Sequence, residues 1–248
     1  MSYGRFAYLY DELMQDVPYD EWVSIVEAYK EKYQVNGMKL FDLACGTGEL
    51  SVKFAQKGYE VTGADLSSDM LSVAQAKAQA QSLQIQFFQQ DMTELDDLGE
   101  FDIIGIFCDS LNYLESEQAV RQTFEGVHRL LKKGGLFLFD VHSVYKMEHI
   151  FADATFTWDD EEITYIWNSF RGEGTNSVEH ELTFFVLDES SGKYDRVDEL
   201  HYQRTYPEDA YVKWLEQAGF ENIDVTGDYT MKSPDPTAER LFFAMIKK

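Results

Sequence analysis

Apolar positions along the chain change rhythm twice. Before Gly37 the spacing is helical: Phe6, Leu9, Tyr10 and Leu13 share one face of a segment over residues 6–14. Pro18 then opens a second helix over residues 20–32, with Trp22, Ile25, Val26 and Tyr29 on its apolar side. From Met38 onward, short apolar runs alternate with amphipathic stretches. Strands are expected at residues 38–44, 59–64, 85–89, 101–107 and 136–141. Helices are expected between them at residues 49–57, closed by Gly58, at 67–82, capped by Ser67, and at 116–132, opened by Ser116 and ended by Gly134 and Gly135. Strand and helix in alternation, with short connections, predict a parallel sheet with helices on both faces.

From about Ser143 to Thr205 the rhythm becomes that of antiparallel strands. Residues 156–158, 163–170, 177–187 and 195–206 are rich in aromatic and β-branched side chains. Asp159-Asp160, Gly172 to Gly174 and Ser190-Ser191-Gly192 separate them as turns. A helix from Pro207 to about Gln217, stopped by Gly219, and two strands at residues 220–225 and 241–246 bring the pattern back. The expected class is therefore α/β, a Rossmann-like doubly wound sheet of seven strands carrying an inserted antiparallel β-sheet. Residues 1–142 and 205–248 would form the main domain and residues 143–204 the insert, covering one side of a ligand site.

Composition narrows the function. The chain has 248 residues and a formal net charge of −24. Such a charge repels phosphate backbones and anionic membrane surfaces, so neither nucleic acid nor membrane is an expected partner. Two cysteines, Cys45 and Cys108, make neither a disulfide framework nor a zinc set, so no metal is expected and a reducing compartment is the simpler reading. The N-terminal stretch lacks the basic and apolar regions of a signal peptide, and a cytoplasmic location is expected.

The chemistry centres on FDLACGTGEL, residues 41–50. A strand ends, the backbone turns on Gly46 and Gly48, and a helix begins, an arrangement that lets backbone approach a ligand at a helix N-terminus. Alone, it fits any dinucleotide site or a tight turn. Ser51 stands where a dinucleotide fingerprint wants its third glycine, and Asp42 precedes the loop, where it would repel a pyrophosphate but suit a cationic amino acid. Asp65 follows about twenty residues past the glycines, the spacing of an acid that reaches ribose hydroxyls; as a helix-capping residue it would need no ligand. Asp91 ends the third strand and could accept from an adenine amine, and Asp109 follows the fourth.

With these acids in order at successive strand ends, the sequence resembles the class I S-adenosylmethionine-dependent methyltransferases over residues 40–141 and the C-terminal return. Within them it is similar to the small-molecule enzymes of ubiquinone and menaquinone biosynthesis. The resemblance implies S-adenosylmethionine as cofactor and a sheet whose last strand is antiparallel. It implies Asp42, Ala44, Gly46 and Gly48 around the methionine moiety, Asp65 at the ribose with Leu66 and Met70 nearby, Asp91 and Met92 at the adenine, and Cys108 and Asp109 facing the sulfonium. An N-terminal aromatic, Tyr3, Tyr8 or Tyr10, could lie over the cofactor or simply pack on the core.

The expected reaction is in-line methyl transfer to a small-molecule acceptor. If that acceptor carries a proton, His142 is the candidate base, with Tyr113 and Asp109 behind it; a structural histidine is the alternative. Within the insert, Trp158, Tyr165, Trp167, Tyr202 and Arg204 could line the acceptor pocket, Arg204 suiting an acidic acceptor; they could equally form a core or a homodimer surface. The chain lacks the Pro-Pro-aromatic motif of exocyclic-amine methylation and a cysteine pair for pyrimidine carbon chemistry. A cofactor-binding regulatory protein without catalysis, a nicotinamide oxidoreductase and an RNA methyltransferase are the competing readings.

Overall fold

The short apolar runs become parallel strands because helices cover both of their faces. The computed structural model describes residues 10, 11, 14, 17–95 and 98–248. Most of the helix expected over residues 6–14, and Tyr3 and Tyr8 with it, lies outside the described residues. In chain order the main domain contains α1 (Tyr19–Lys32), β1 (Lys39–Leu43), α2 (Glu49–Gln56), β2 (Glu60–Asp65), α3 (Ser68–Ala80), β3 (Gln86–Gln89) and β4 (Phe101–Ile106). A 3-10 turn (Ser110–Tyr113), α4 (Glu117–Leu130) and β5 (Leu131–His142) follow. After a π turn (Lys146–Phe151) come the insert strands β6 (Ala154–Asp159), β7 (Ile163–Arg171), β8 (Ser177–Asp188) and β9 (Lys193–Arg204). α5 (Glu208–Ala218), β10 (Phe220–Gly227) and β11 (Arg240–Lys247) close the chain.

The large sheet has seven strands in the order β10-β11-β5-β4-β1-β2-β3. Its neighbours are parallel from β5 through β3, and β11 runs antiparallel to both β5 and β10. One apolar layer packs α4 and α5 on the sheet through Phe124, Val127, Trp214 and Leu215; the other packs α1, α2 and α3 through Trp22, Tyr29, Phe54 and Ala78. Ser67 and Ser116 each accept the backbone N–H three residues on, from Met70 and Ala119, and so cap α3 and α4 as expected.

One boundary differs. Gly134 and Gly135 do not end a helix. The chain leaves α4 at Leu131, already extended, and β5 begins there. The β4–β5 register then slips, with Phe101 opposite Leu131 but Ile103 opposite Leu136, and the glycines lie in the slipped segment. Gly134 has φ +77, which suits a bulge inside a strand.

The insert is a separate four-stranded antiparallel sheet, β6-β7-β8-β9. Its register sets Trp158, Tyr165, Phe184 and Val197 in one row, Ser169, His180 and His201 in another, and Val178 beside Gln203. These rows share the inner face. Ile163, Phe184, Tyr165 and Val197 of that face cluster with Tyr10 and Met70. No helix among the described residues is long and apolar enough to cross a membrane.

Candidate active site

A cavity of about 860 Å³ opens at the carboxyl ends of β1 to β4, the edge where open α/β sheets bind ligands. Asp42 forms part of its floor and is 2 % exposed. Burial pushes its carboxyl up to about 7, Asp65 adds to that, and a hydrogen bond from Ser51 Oγ at 2.5 Å opposes it. Ser51, in the place of a third glycine, is thus a donor to the buried acid.

The loop beyond Asp42 is held by its own amides. Ala44, Gly46 and Gly48 have φ of +63, +54 and +76. Cys45 N–H donates to Ala64 O at 2.9 Å, and Gly46 N–H donates to Asp65 Oδ2 at 2.8 Å. Asp65 Oδ1 accepts from Ser67 N–H at 2.9 Å, and burial raises its pKa. The two glycines do different work. A Cβ on Gly46 would meet nothing within 4 Å, since it borders the cavity; one on Gly48 would stand 2.8 Å from Ala74 Cβ of α3. Gly48 permits helix packing and, unlike Gly46, is not among the residues that line the cavity. Leu66, Met70, Asp91 and Met92 line the cavity beyond Asp65, and Asp91 Oδ1 is fixed by Thr93 N–H at 2.8 Å.

Past β4 the backbone turns through two left-handed residues, Cys108 with φ +54 and Asp109 with φ +52. Their N–H groups donate to the two oxygens of Asp140, each at 2.9 Å. Trp22 Nε1–H also donates to Asp140 at 2.7 Å, and Arg240 pairs with both Asp140 and Asp109, the latter at 2.9 Å. The turn therefore sends Cys108 toward the cavity and Asp109 into the wall behind it. His142 and Arg240 hold the Asp109 carboxyl far below its usual range despite its burial.

The far end of the cavity is bounded by Ser110, Tyr113, Glu115 and His201, with Tyr10 and Tyr19 nearby. Tyr113 Oη lies 3.1 Å from His201 Nδ1. Behind His201, Gln203 Nε2–H donates to Asp109 Oδ2 at 2.9 Å and Gln203 Oε1 lies 3.3 Å from His180 Nε2. Trp167 Nε1–H completes the chain by donating to His180 Nδ1 at 2.9 Å. An indole can only donate, so His180 carries its proton on Nε2 and donates to Gln203.

A family profile described as a methyltransferase domain matches residues 40–135. A methyltransferase-named protein of Geobacillus sp. (strain WCH70) is 54 % identical over 248 residues, covering 100 % of both chains. Another, YqeM of Bacillus subtilis (strain 168), is 49 % identical, covering 100 % of this chain and 98 % of its own. The crystal structure of an S-adenosylmethionine-dependent methyltransferase from Clostridium acetobutylicum ATCC 824 superposes with a TM-score of 0.89 at 32 % identity, covering 99 % of this chain and 98 % of that one.

The chain belongs to the S-adenosylmethionine-dependent methyltransferases.

The methyltransferase cavity fits its cofactor on its own chemistry. Asp42 is a carboxylate held in a desolvated floor, and no lysine or arginine among the described residues pairs with it, so a ligand cation would relieve its burial. Asp65 sits at the rim with its oxygens oriented by two backbone donors.

Several residues fall outside the roles expected of them. Asp109 does not face the cavity, because its carboxylate is consumed by Arg240, Gln203 and His142. His142 does not line the cavity either. It is 5 % exposed, packs edge-on against Phe151 and keeps Nε2 3.3 Å from Asp109, with burial lowering its pKa. This packing sets the His142 ring in the wall behind the cavity. Trp167 packs inside the insert against Phe151 and Phe156. Tyr202 is exposed on the outer face. Arg204 stacks over Tyr206 and donates to Glu115 O at 3.1 Å, bracing a loop without entering the cavity. The cavity walls that it stands away from carry Asp42, Glu49, Asp65, Asp69, Asp91 and Glu115. His201, on the opposite face of β9 from Tyr202 and Arg204, is the residue the sequence reading missed. Strand alternation alone would have offered either parity.

Proposed function

We propose that this methyltransferase acts on a small-molecule acceptor by in-line displacement, the acceptor occupying the end of the cavity between Cys108 and His201. The observation that carries this is the continuity of the cavity from the strand ends to Tyr113 and His201, where β9 of the insert contributes His201 to its far end. A concave cavity of about 860 Å³ suits a ligand of small-molecule size, and the net charge of −24 opposes a polyanionic acceptor.

S-adenosylmethionine, when bound, supplies a methyl group already activated on a sulfonium. The chain's own residues then position and desolvate. In this reading Asp42 offers its carboxylate to the methionine ammonium, Asp65 accepts from ribose hydroxyls, and Asp91 and Met92 flank the adenine. Leu66 and Met70 exclude water along one side, and Tyr10 along the other. Cys108, held rigid by the Asp140 carboxylate behind it, borders the point of transfer.

The test is transfer from methyl-labelled S-adenosylmethionine to three fractions of a bacterial extract: protein-free small molecules, RNA and protein. Label is expected in the small-molecule fraction. Label in RNA would replace this reading with a nucleic-acid methyltransferase, and S-adenosylhomocysteine binding without transfer to any fraction would leave a binding protein.

A further inference from the structure

Tyr113 and His201 reach the cavity from separate parts of the fold. Tyr113 ends the 3-10 turn after β4, and His201 comes from β9 of the insert, yet Tyr113 Oη and His201 Nδ1 are 3.1 Å apart with the rings at 70°. Two residues along the same face of β9, Gln203 fixes the strand against Asp109 and His180. Tyr113 is 47 % exposed at the cavity's end, and the contact is set from the other side, by the anchored strand that carries His201.

The protonation states suit a relay. Desolvation and then the Asp109 carboxylate push the Tyr113 phenol above its usual range, so it keeps its proton and donates. Burial lowers the His201 imidazole, so near neutral pH it is uncharged and Nδ1 accepts. The charged or titratable groups facing the pair are Asp109 from the turn after β4, His180 from β8, Cys108 and Tyr10, with Glu115 in the adjoining loop. Six carboxylates line the cavity, Asp42, Glu49, Asp65, Asp69 and Asp91 toward the cofactor end and Glu115 at the end where Tyr113 and His201 stand. A cleft of one sign concentrates ligands of the other.

We propose that Tyr113 and His201 form a proton relay, and that the acceptor is an amine arriving as its ammonium ion. This rests on the small-molecule reading of the cavity. The ammonium nitrogen gives a proton to Tyr113 Oη while the Tyr113 proton passes to His201 Nδ1, leaving a neutral amine and an imidazolium. The nitrogen lone pair then forms the bond to the methyl carbon as the carbon–sulfur bond breaks, its electron pair remaining on sulfur. The product carries the positive charge as a methylated ammonium, and His201 loses its proton to solvent.

The experiment uses the full chain, methyl-labelled S-adenosylmethionine and the protein-free small-molecule fraction of a bacterial extract as acceptor pool. Products are separated on a cation exchanger, and wild type, His201→Asn and Tyr113→Phe are compared from pH 7 to pH 10. Label is expected in a cation-retained product. Both variants are expected to lose roughly 10²–10⁴ in rate at pH 7, the deficit shrinking as pH rises and the amine deprotonates unaided. Retained affinity for S-adenosylhomocysteine, by calorimetry, shows that the variants fold. Label in an anionic or neutral product overturns the amine, and variants with the wild-type rate and pH profile overturn the relay. If the wild type labels nothing in this pool, the small-molecule reading falls and the relay with it.

Discussion

Residues 42–51, 65–70 and 89–93 shape one end of the cavity with amides and side chains adjacent in sequence, whereas the other end joins Tyr113 and Glu115 to His201, braced by Trp22, Asp140 and Arg240. At the first end, strand-to-helix turns do the positioning and each acid meets donors from its own loop or the next: Asp42 with Ser51, Asp65 with Gly46 and Ser67, Asp91 with Thr93. At the second end a buried ionic cluster and a register between two sheets do it. The difference predicts where each end is fragile. The acceptor end should fail through its support, the cofactor end through its backbone and its floor charge.

The largest effect is expected from Arg240→Met. Arg240 is 11 % exposed in its side chain and answers the buried Asp140 and the partly buried Asp109. Removing it leaves them facing each other in the wall, at a cost of about 3–5 kcal/mol. Denaturant unfolding should show that loss. An unchanged midpoint would mean that His142, Trp22 and the Cys108 and Asp109 amides satisfy the pair without arginine.

The next test separates the two glycines of the cofactor loop. Gly48→Ala combines a left-handed φ of +76 with a Cβ 2.8 Å from Ala74 Cβ. The strained backbone costs about 1–2 kcal/mol and the overpacking about 1–3 kcal/mol. Gly46→Ala has the backbone term alone, because its Cβ meets nothing within 4 Å, but it projects into the cavity. Gly48→Ala should therefore lose more stability, and Gly46→Ala more affinity for S-adenosylhomocysteine. Equal losses in both measurements would erase the distinction between a packing glycine and a ligand glycine.

The same contrast explains what could be read from the sequence. The seven-strand sheet, the inserted antiparallel sheet and the cofactor were legible because periodicity and turn chemistry are local, and because the acids follow one another at strand ends. Asp109 looked like one more of them, but Arg240, 131 positions away, turns it into the wall. His142 was the candidate base for the same reason, its place at a strand end. Its burial comes from Phe151 and from Asn112, whose side-chain oxygen accepts the His142 N–H at 2.8 Å, and neither contact has a sequence signature. Gly134 and Gly135 read as a helix stop because a β-bulge and a C-cap use the same residue.

A pH titration of binding probes the floor charge. Asp42, pushed up to about 7 by burial, should favour a cationic ligand only when ionised. Below pH 7 the carboxyl takes a proton, and the ammonium of S-adenosylhomocysteine must displace it. Affinity is expected to fall by up to about tenfold per pH unit on the acid side and to level off above the pKa. Asp42→Asn should bind weakly and without that slope. Calorimetry between pH 5 and pH 8 decides it, and a slope that survives in Asp42→Asn would assign the titration to another group, Asp65 being the first alternative.

The smallest effect is expected from Tyr202→Ala, and its smallness is the point. Tyr202 sits between His201 and Gln203 on β9, but on the outer face, 45 % exposed and opposite Glu179. Its truncation should change stability by no more than about 0.5 kcal/mol and leave methyl transfer at the wild-type rate. Because successive strand residues face opposite sides, a shift of one position in the β8–β9 register would exchange the two sets. Tyr202 would then face Tyr113, and His201 would face solvent. A loss of transfer in Tyr202→Ala comparable with that of His201→Asn would therefore point to the shifted register, and the acceptor end would have to be rebuilt around the other parity of β9.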